Sequence, residues 1–211
     1  MRMPGLFWFA VANKSQPERH LVPKRICVFS SSSNAVAPAF FAVAAELGAW
    51  IGRRGDTLVY GGATVGLMGA VARAVHTHGG RVVGVIPEIF HAKGLAYEDA
   101  DELLVVKDLR ARKAAMEERA DVFIALPGGF GTLEEMLEIL TLKQIHTHSK
   151  PLIFLNPNGF YQPLLDLFER IYAERFARPE SRELYFVAPD VASAFSYLDA
   201  YHPPQIAEKW L

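Results

Sequence analysis

The chain has 211 residues, 51% of them hydrophobic and 21% charged, which is enough apolar material for one α/β domain and too much for a disordered chain. Its net charge of −1 argues against a nucleic-acid polymer as partner, because such binders carry a basic field that displaces counterions. The single cysteine, Cys27, excludes an intramolecular disulfide and suits a reducing, cytoplasmic setting; its apolar neighbours mark it as a buried core thiol.

In chain order, residues 1–22 read as an extension ahead of the domain. Their apolar stretch 6–12 ends in an Ala-x-Ala pattern, too early for a secretory signal of roughly 15–30 residues. No stretch supplies the roughly 20 apolar residues of a membrane span. From residue 25 onward, short β-branched runs alternate with longer amphipathic ones. Strands are expected at 26–29, 57–60, 81–86, 102–106, 122–126, 151–155 and 184–187. Helices are expected at 38–53, 65–78, 109–120, 132–145, 161–173 and 189–198, with Asp108 capping the third of them. The strands are apolar throughout rather than alternating, as strands buried on both faces are. The pattern predicts a three-layer α/β sandwich, a mostly parallel sheet covered by helices on both faces. We place one domain at 23–202 and a tail at 203–211. Ligands of such sheets bind beyond the carboxyl ends of the strands, so chemistry is sought just after them.

The segment Leu126-Pro-Gly-Gly-Phe-Gly-Thr-Leu-Glu-Glu135 follows a strand and opens a helix. Its glycines let main chain approach a ligand, the helix start offers free N–H groups to an anion, and Thr132 adds a hydroxyl. A merely tight turn accounts for the same glycines. There is no Walker Lys and no Gly-x-Gly-x-x-Gly order. A second glycine loop, Gly61-Gly-Ala-Thr-Val-Gly-Leu-Met-Gly69, follows the second strand, with close helix–sheet packing as its alternative reading; together the two loops would line one cleft. Thr132-x-x-Glu135 is also a capping box, a use of Glu135 compatible with a catalytic one. Glu134 reads as solvated. Lys113 has Glu117 one turn on, which predicts a surface ion pair. Arg112 has small and apolar neighbours, so it either snorkels or projects toward an anion. Ser30 to Ser33 either turn the chain or bind a ligand. His146-x-His148 and His76-x-His78 lack a third ligand at a recognised spacing, which argues against a metal site; His146 and His148 fit better as partners of a helix C-terminus.

Pro127, Gly128, Gly129, Gly131, Thr132 and Glu135, together with Arg112-Lys113, resemble the motifs of the LOG family of cytokinin-activating phosphoribohydrolases, whose members are often described as possible lysine decarboxylases. Gly61–Gly69 and Val85-Ile86-Pro87 resemble further family segments, and the likeness spans roughly residues 25–200. The resemblance implies a Rossmann-like fold, a homodimer with sites near the subunit interface, and hydrolysis of an N6-substituted adenosine 5′-monophosphate to free base and ribose 5-phosphate without a cofactor or metal. It implies a catalytic pair at Arg112 and Glu135. Substrate and phosphate contacts are implied at Ser31, Gly61, Gly62, Gly66, Met68, Gly69, Lys113, Pro127, Gly128, Gly129, Gly131 and Thr132. A carboxylate beside C1′ would stabilise the positive charge that builds there as the glycosidic bond breaks. The chain departs from the family pattern at Ser30–Ser33, Ala63, Leu109 and Glu174-Arg175-Phe176, which leaves the accepted base open. Plain AMP, a broader purine or pyrimidine nucleotide range, and a non-catalytic nucleotide carrier are the alternatives. Nothing marks a lysine for a pyridoxal Schiff base.

Overall fold

The apolar runs become strands β1 (Arg25–Phe29), β2 (Thr57–Tyr60), β3 (Arg81–Pro87), β4 (Glu102–Val106), β5 (Val122–Ala125), β6 (Leu152–Leu155) and β7 (Phe186–Ala188). The structure, a computed structural model, describes residues 22–206. The seven strands pair in the order β4-β3-β2-β1-β5-β6-β7, parallel at every pairing. This is the three-layer, Rossmann-like architecture the sequence predicts.

The layers follow from the two-residue period of a strand. Along β1, Ile26 and Val28 pack with helices α1 (Pro38–Arg53), α2 (Gly66–Thr77) and α7 (Val191–Asp199). Cys27 and Phe29 point the other way, toward α4 (Leu109–Arg119), α5 (Phe130–Gln144) and α6 (Gln162–Ala173). Both faces are therefore dry, and an alternating polar pattern would have been costly. Cys27 is wholly buried, and burial pushes its thiol far up, so it is an inert core group.

The chain winds outward from β1 through β2 and β3 to β4, then returns to lay β5 beside β1. The strand order reverses between β1 and β5, and a crevice opens there at the carboxyl ends.

Several boundaries differ from the sequence reading. Helix α5 begins at Phe130, two residues before the expected start. A four-residue helix, α3 (Glu88–His91), follows β3 where only a stop at Pro87 is legible. The last strand is displaced to Phe186–Ala188 because Pro179–Leu184 forms a 3₁₀ turn that buries Leu184. Asp108 caps α4 as expected, accepting the Ala111 N–H at 2.9 Å. Residues 203–206 carry no regular element. The extension expected at 1–22, Val22 apart, and the rest of the tail lie outside the described residues.

Candidate active site

At the switch point the loops after β1, β2 and β5 enclose a cleft of ≈ 760 Å³, a size suited to a small organic ligand. Its floor is an ion pair. Arg112, in the first turn of α4, is aimed inward because Asp108 caps that helix and accepts the Arg112 N–H on its carbonyl at 3.0 Å. Glu135, on α5, meets it through Arg112 Nη2 and Glu135 Oε1. The two side chains are only 14% and 7% exposed. A carboxylate so buried would be costly without this counter-charge. Burial lowers Arg112 from the ordinary guanidinium value, and its Nε has no partner among the described residues. Of the two readings left open for Arg112, the inward one is therefore what the fold adopts.

The capping box does not form. Because α5 starts at Phe130, its N-cap is Gly129 and Thr132 stands inside the first turn. Thr132 is buried over Gly128, where a Cβ would collide with the Thr132 side chain. Glu135, a turn beyond its capping position, is spent on Arg112. No side chain caps α5, so the N–H groups ahead of Leu133, whose own N–H bonds Gly129 O at 3.1 Å, are left for another acceptor. Gly129 and Gly131 line the cleft with nothing near a prospective Cβ, as an approach by a ligand requires. The strand-to-helix turn is braced from behind by Tyr161, whose hydroxyl donates to Leu126 O at 2.6 Å.

The second glycine loop behaves differently. Asn34 Oδ1 accepts the Gly66 N–H at 2.8 Å, and the Ser31 carbonyl accepts the N–H groups of Leu67 and Met68 at 2.9 and 3.4 Å. The N-terminus of α2 is thus closed by the loop after β1. Gly66, at φ +59°, lies against the Ser31 and Ser32 backbone, and Gly69 lies against the Thr64 carbonyl. Gly62, at φ +74°, packs on Val85 and Ile86. These three glycines pack against neighbouring backbone and side chains, and none of them lines the cleft. Pro127 and Gly128 likewise sit outside the cleft lining. Gly61 and Met68 do line it, together with Ser30, Ser31, Ser32 and Ser33. At Gly61 a Cβ would collide with the Met68 side chain and stand 3.3 Å from Arg112 Nη1. The missing side chain leaves room for the guanidinium.

Lys113 also borders the cleft, but it does not pair with Glu117 on its own helix. It reaches across to α5, bonding Glu134 and, at 2.7 Å, Glu138. Glu134 is accordingly tied as well as half-solvated. Burial opposes the Lys113 charge, yet the two carboxylates outweigh it and raise its pKa. One wall is apolar, formed by Ile86, Phe90, Leu95, Leu109 and Phe130, the last 92% exposed at the mouth. Ile86 and Leu109 were singled out only through the family resemblance, and Phe90, Leu95 and Phe130 carried no local signal, because the fold brings them to the cleft from separate elements. The histidines have structural roles. His148 Nε2 lies 3.1 Å from Ile139 O, His146 sits at φ 62° after α5, and His76 stands between Tyr97 OH and Asp101.

Sheet and site together define a Rossmann-like protein with a ligand cleft at its switch point and a buried Arg–Glu pair as its floor. Comparison with known proteins gives the family. Residues 68–198 match the family model described as "Possible lysine decarboxylase". The chain is 44% identical, over 85% of its own length and 83% of the relative's, to an Arabidopsis thaliana protein named cytokinin riboside 5′-monophosphate phosphoribohydrolase. It is 42% identical, over 85% and 74%, to a rice (Oryza sativa subsp. japonica) protein named as a probable enzyme of that kind. The chain belongs to this family, the LOG family. Among solved structures it shares its fold with the molybdenum cofactor carrier protein of Chlamydomonas reinhardtii, at 24% identity and a TM-score of 0.67 over 85% of this chain and 98% of that one. The molybdenum cofactor binding protein of the phototrophic bacterium Rippkaea orientalis aligns at 23% identity with a TM-score of 0.66, over the same shares.

Proposed function

We propose that the chain hydrolyses the N-glycosidic bond of a nucleoside 5′-monophosphate, releasing free base and ribose 5-phosphate, with an N6-substituted adenosine 5′-monophosphate as substrate. One observation carries the reading: Arg112 and Glu135 converge, buried, on the floor of a cleft whose rim is the uncapped start of α5. An anion on those N–H groups is favoured by the helix dipole, and Thr132 stands beside them. Phosphate held there would direct the ribose inward, turning remote binding energy into alignment at C1′. Glu135 would then stabilise positive charge on the ribose as the C1′–N bond breaks, and orient the attacking water. The water oxygen ends on C1′ and its proton on the base nitrogen. Arg112 would polarise the departing base or hold the nucleotide. The apolar wall of Ile86, Phe90, Leu95 and Leu109 supports a base carrying an apolar N6 substituent in preference to plain AMP.

The protein acts, in this reading, as a cytoplasmic homodimer with its site near the subunit interface. The fully buried Cys27 and the exposed Phe130 at the cleft mouth support those two points. No helix among the described residues is long and apolar enough to cross a membrane. The test is a chromatographic assay of purified protein against a panel of nucleoside monophosphates and the corresponding ribosides. Free base should appear from the N6-substituted monophosphate and scarcely from the ribosides. No base from any monophosphate would overturn the reading.

A further inference from the structure

The Arg112–Glu135 pair does not stand alone. Arg112 and Lys113 are consecutive on α4, and Glu134 and Glu135 are consecutive on α5. Consecutive helical residues point about 100° apart, so the two helices are tied twice along different directions. The inner tie, Arg112 to Glu135, faces the cleft; the outer one runs from Lys113 to Glu134 and Glu138, which share one face of α5 at i and i+4. Packing on the sheet holds one side of each helix, and the inner tie alone fixes little of how their outer sides face each other. The second tie fixes the outer sides as well. Behind them lies a smaller cavity of ≈ 230 Å³, lined by Arg110, Lys113, Glu117, Glu135 and Glu138, so packing alone does not hold Glu135 from that side.

We infer that Lys113 is a positioning residue for the hydrolysis rather than a phosphate ligand: it occupies Glu134 and Glu138, and so leaves Arg112 to Glu135. The inference rests on the proposed activity. Its physical content is competition for a cation. Three carboxylates, Glu134, Glu135 and Glu138, face two cations, and Glu134 is near enough to Arg112 to act on its charge. Without the lysine, Glu134 becomes a rival partner for the guanidinium, and the carboxylates on α5 repel one another. Arg112 is then drawn off the cleft floor. A phosphate ligand, by contrast, would direct its charge at the anion, whereas two carboxylates here take two of the three Nζ donors and offset that charge.

The experiment compares Lys113→Met and Lys113→Arg with the parent protein. It reads kcat, KM and inhibition by ribose 5-phosphate, with thermal unfolding to confirm the fold. Lys113→Met should lower kcat about tenfold or more, since small displacements of reacting groups cost that much, with KM and the inhibition constant within about twofold. Lys113→Arg keeps the charge and should recover most of the loss. In a Glu134→Gln/Glu138→Gln background the rival carboxylates are gone, and Lys113→Met should have little further effect on kcat. That arm also decides the matter if Lys113→Met alone proves unstable. A rise in KM and in the inhibition constant at unchanged kcat would make Lys113 a phosphate ligand and overturn the inference. Equal kcat losses in both backgrounds would overturn it as well. A parent protein that releases no base is a failure of the proposed function, visible before any variant is made.

Discussion

The Ser31 carbonyl accepts the Leu67 N–H at 2.9 Å, so the loop after β1 closes the N-terminus of α2 from above. That bond divides the labour between two glycine-rich turns that look alike in sequence. The α2 turn is satisfied internally, and only the α5 turn keeps free donors. Gly66 is the hinge of the closed turn, at φ +59° with the Ser31 and Ser32 backbone against it. Gly66→Ala should cost about 2 kcal/mol or more, the sum of a left-handed side chain and a backbone collision. It should also raise KM, because the Ser30–Ser33 loop that must move lines the cleft. Denaturant unfolding and steady-state kinetics measure the two effects. Asn34→Ala, which removes only the Gly66 cap, should cost about 1 kcal/mol.

Glu135→Gln should lower kcat by at least about a hundredfold, since the amide neither stabilises charge at C1′ nor activates water. Its isosteric amide still offers an oxygen to Arg112, so the protein should fold, with a lower Tm because a buried guanidinium loses its counter-charge. Circular dichroism together with base release tests the pair of statements. A variant that turned over at the parent rate would remove Glu135 from the mechanism.

How far the site was legible before the structure follows from which residues act locally. The strand positions, the Asp108 cap and the two glycine turns are short-range features, and they stand within a few residues of expectation. Arg112 was ambiguous because its partner lies on another helix, and no periodicity along α4 points to α5. Lys113 illustrates the same limit from the other side: its i+4 neighbour Glu117 was the obvious partner, and the fold prefers Glu134 and Glu138. Thr132-x-x-Glu135 fails as a capping box for a local reason, the earlier helix start, which three nearby glycines conceal. The apolar wall needs the tertiary fold, since α3 and the segment carrying Leu95 reach the cleft only through sheet topology.

Arg175→Gly should stabilise the protein. Helix α6 ends in a Schellman motif, with Phe176 N bonding Ile171 O at 2.9 Å and Arg175 N bonding Tyr172 O at 3.1 Å. Arg175 occupies the left-handed position at φ 63°, a conformation that glycine adopts without steric cost. Helices α1 and α2 solve the same geometry with Gly55 and Gly79. Relief of the left-handed side chain is worth about 1 kcal/mol, which raises Tm by about 2–4 °C in a domain of this size. Calorimetry reads the change. An unaltered or lower Tm would mean that the arginine side chain contributes as much as its backbone costs.

Lys143 sets a pH dependence of stability. It is 3% exposed, bonds only Tyr201 OH at 3.0 Å among the described residues, lies over that ring, and burial lowers its pKa to about 8. Below pH 8 the ammonium is charged in both folded and unfolded chains, and the fold bears its desolvation. Between pH 8 and the ordinary lysine value near 10.4 the unfolded chain binds the extra proton, so this group makes stability rise with pH across that window. Lys143→Met should therefore flatten the rise, and at pH 7 it should cost little or even stabilise, because an apolar chain of similar length replaces a buried charge. Urea unfolding of both proteins at pH 7 and pH 9.5 measures the difference. Parallel stability curves over that range would show that Lys143 keeps its proton in the folded state.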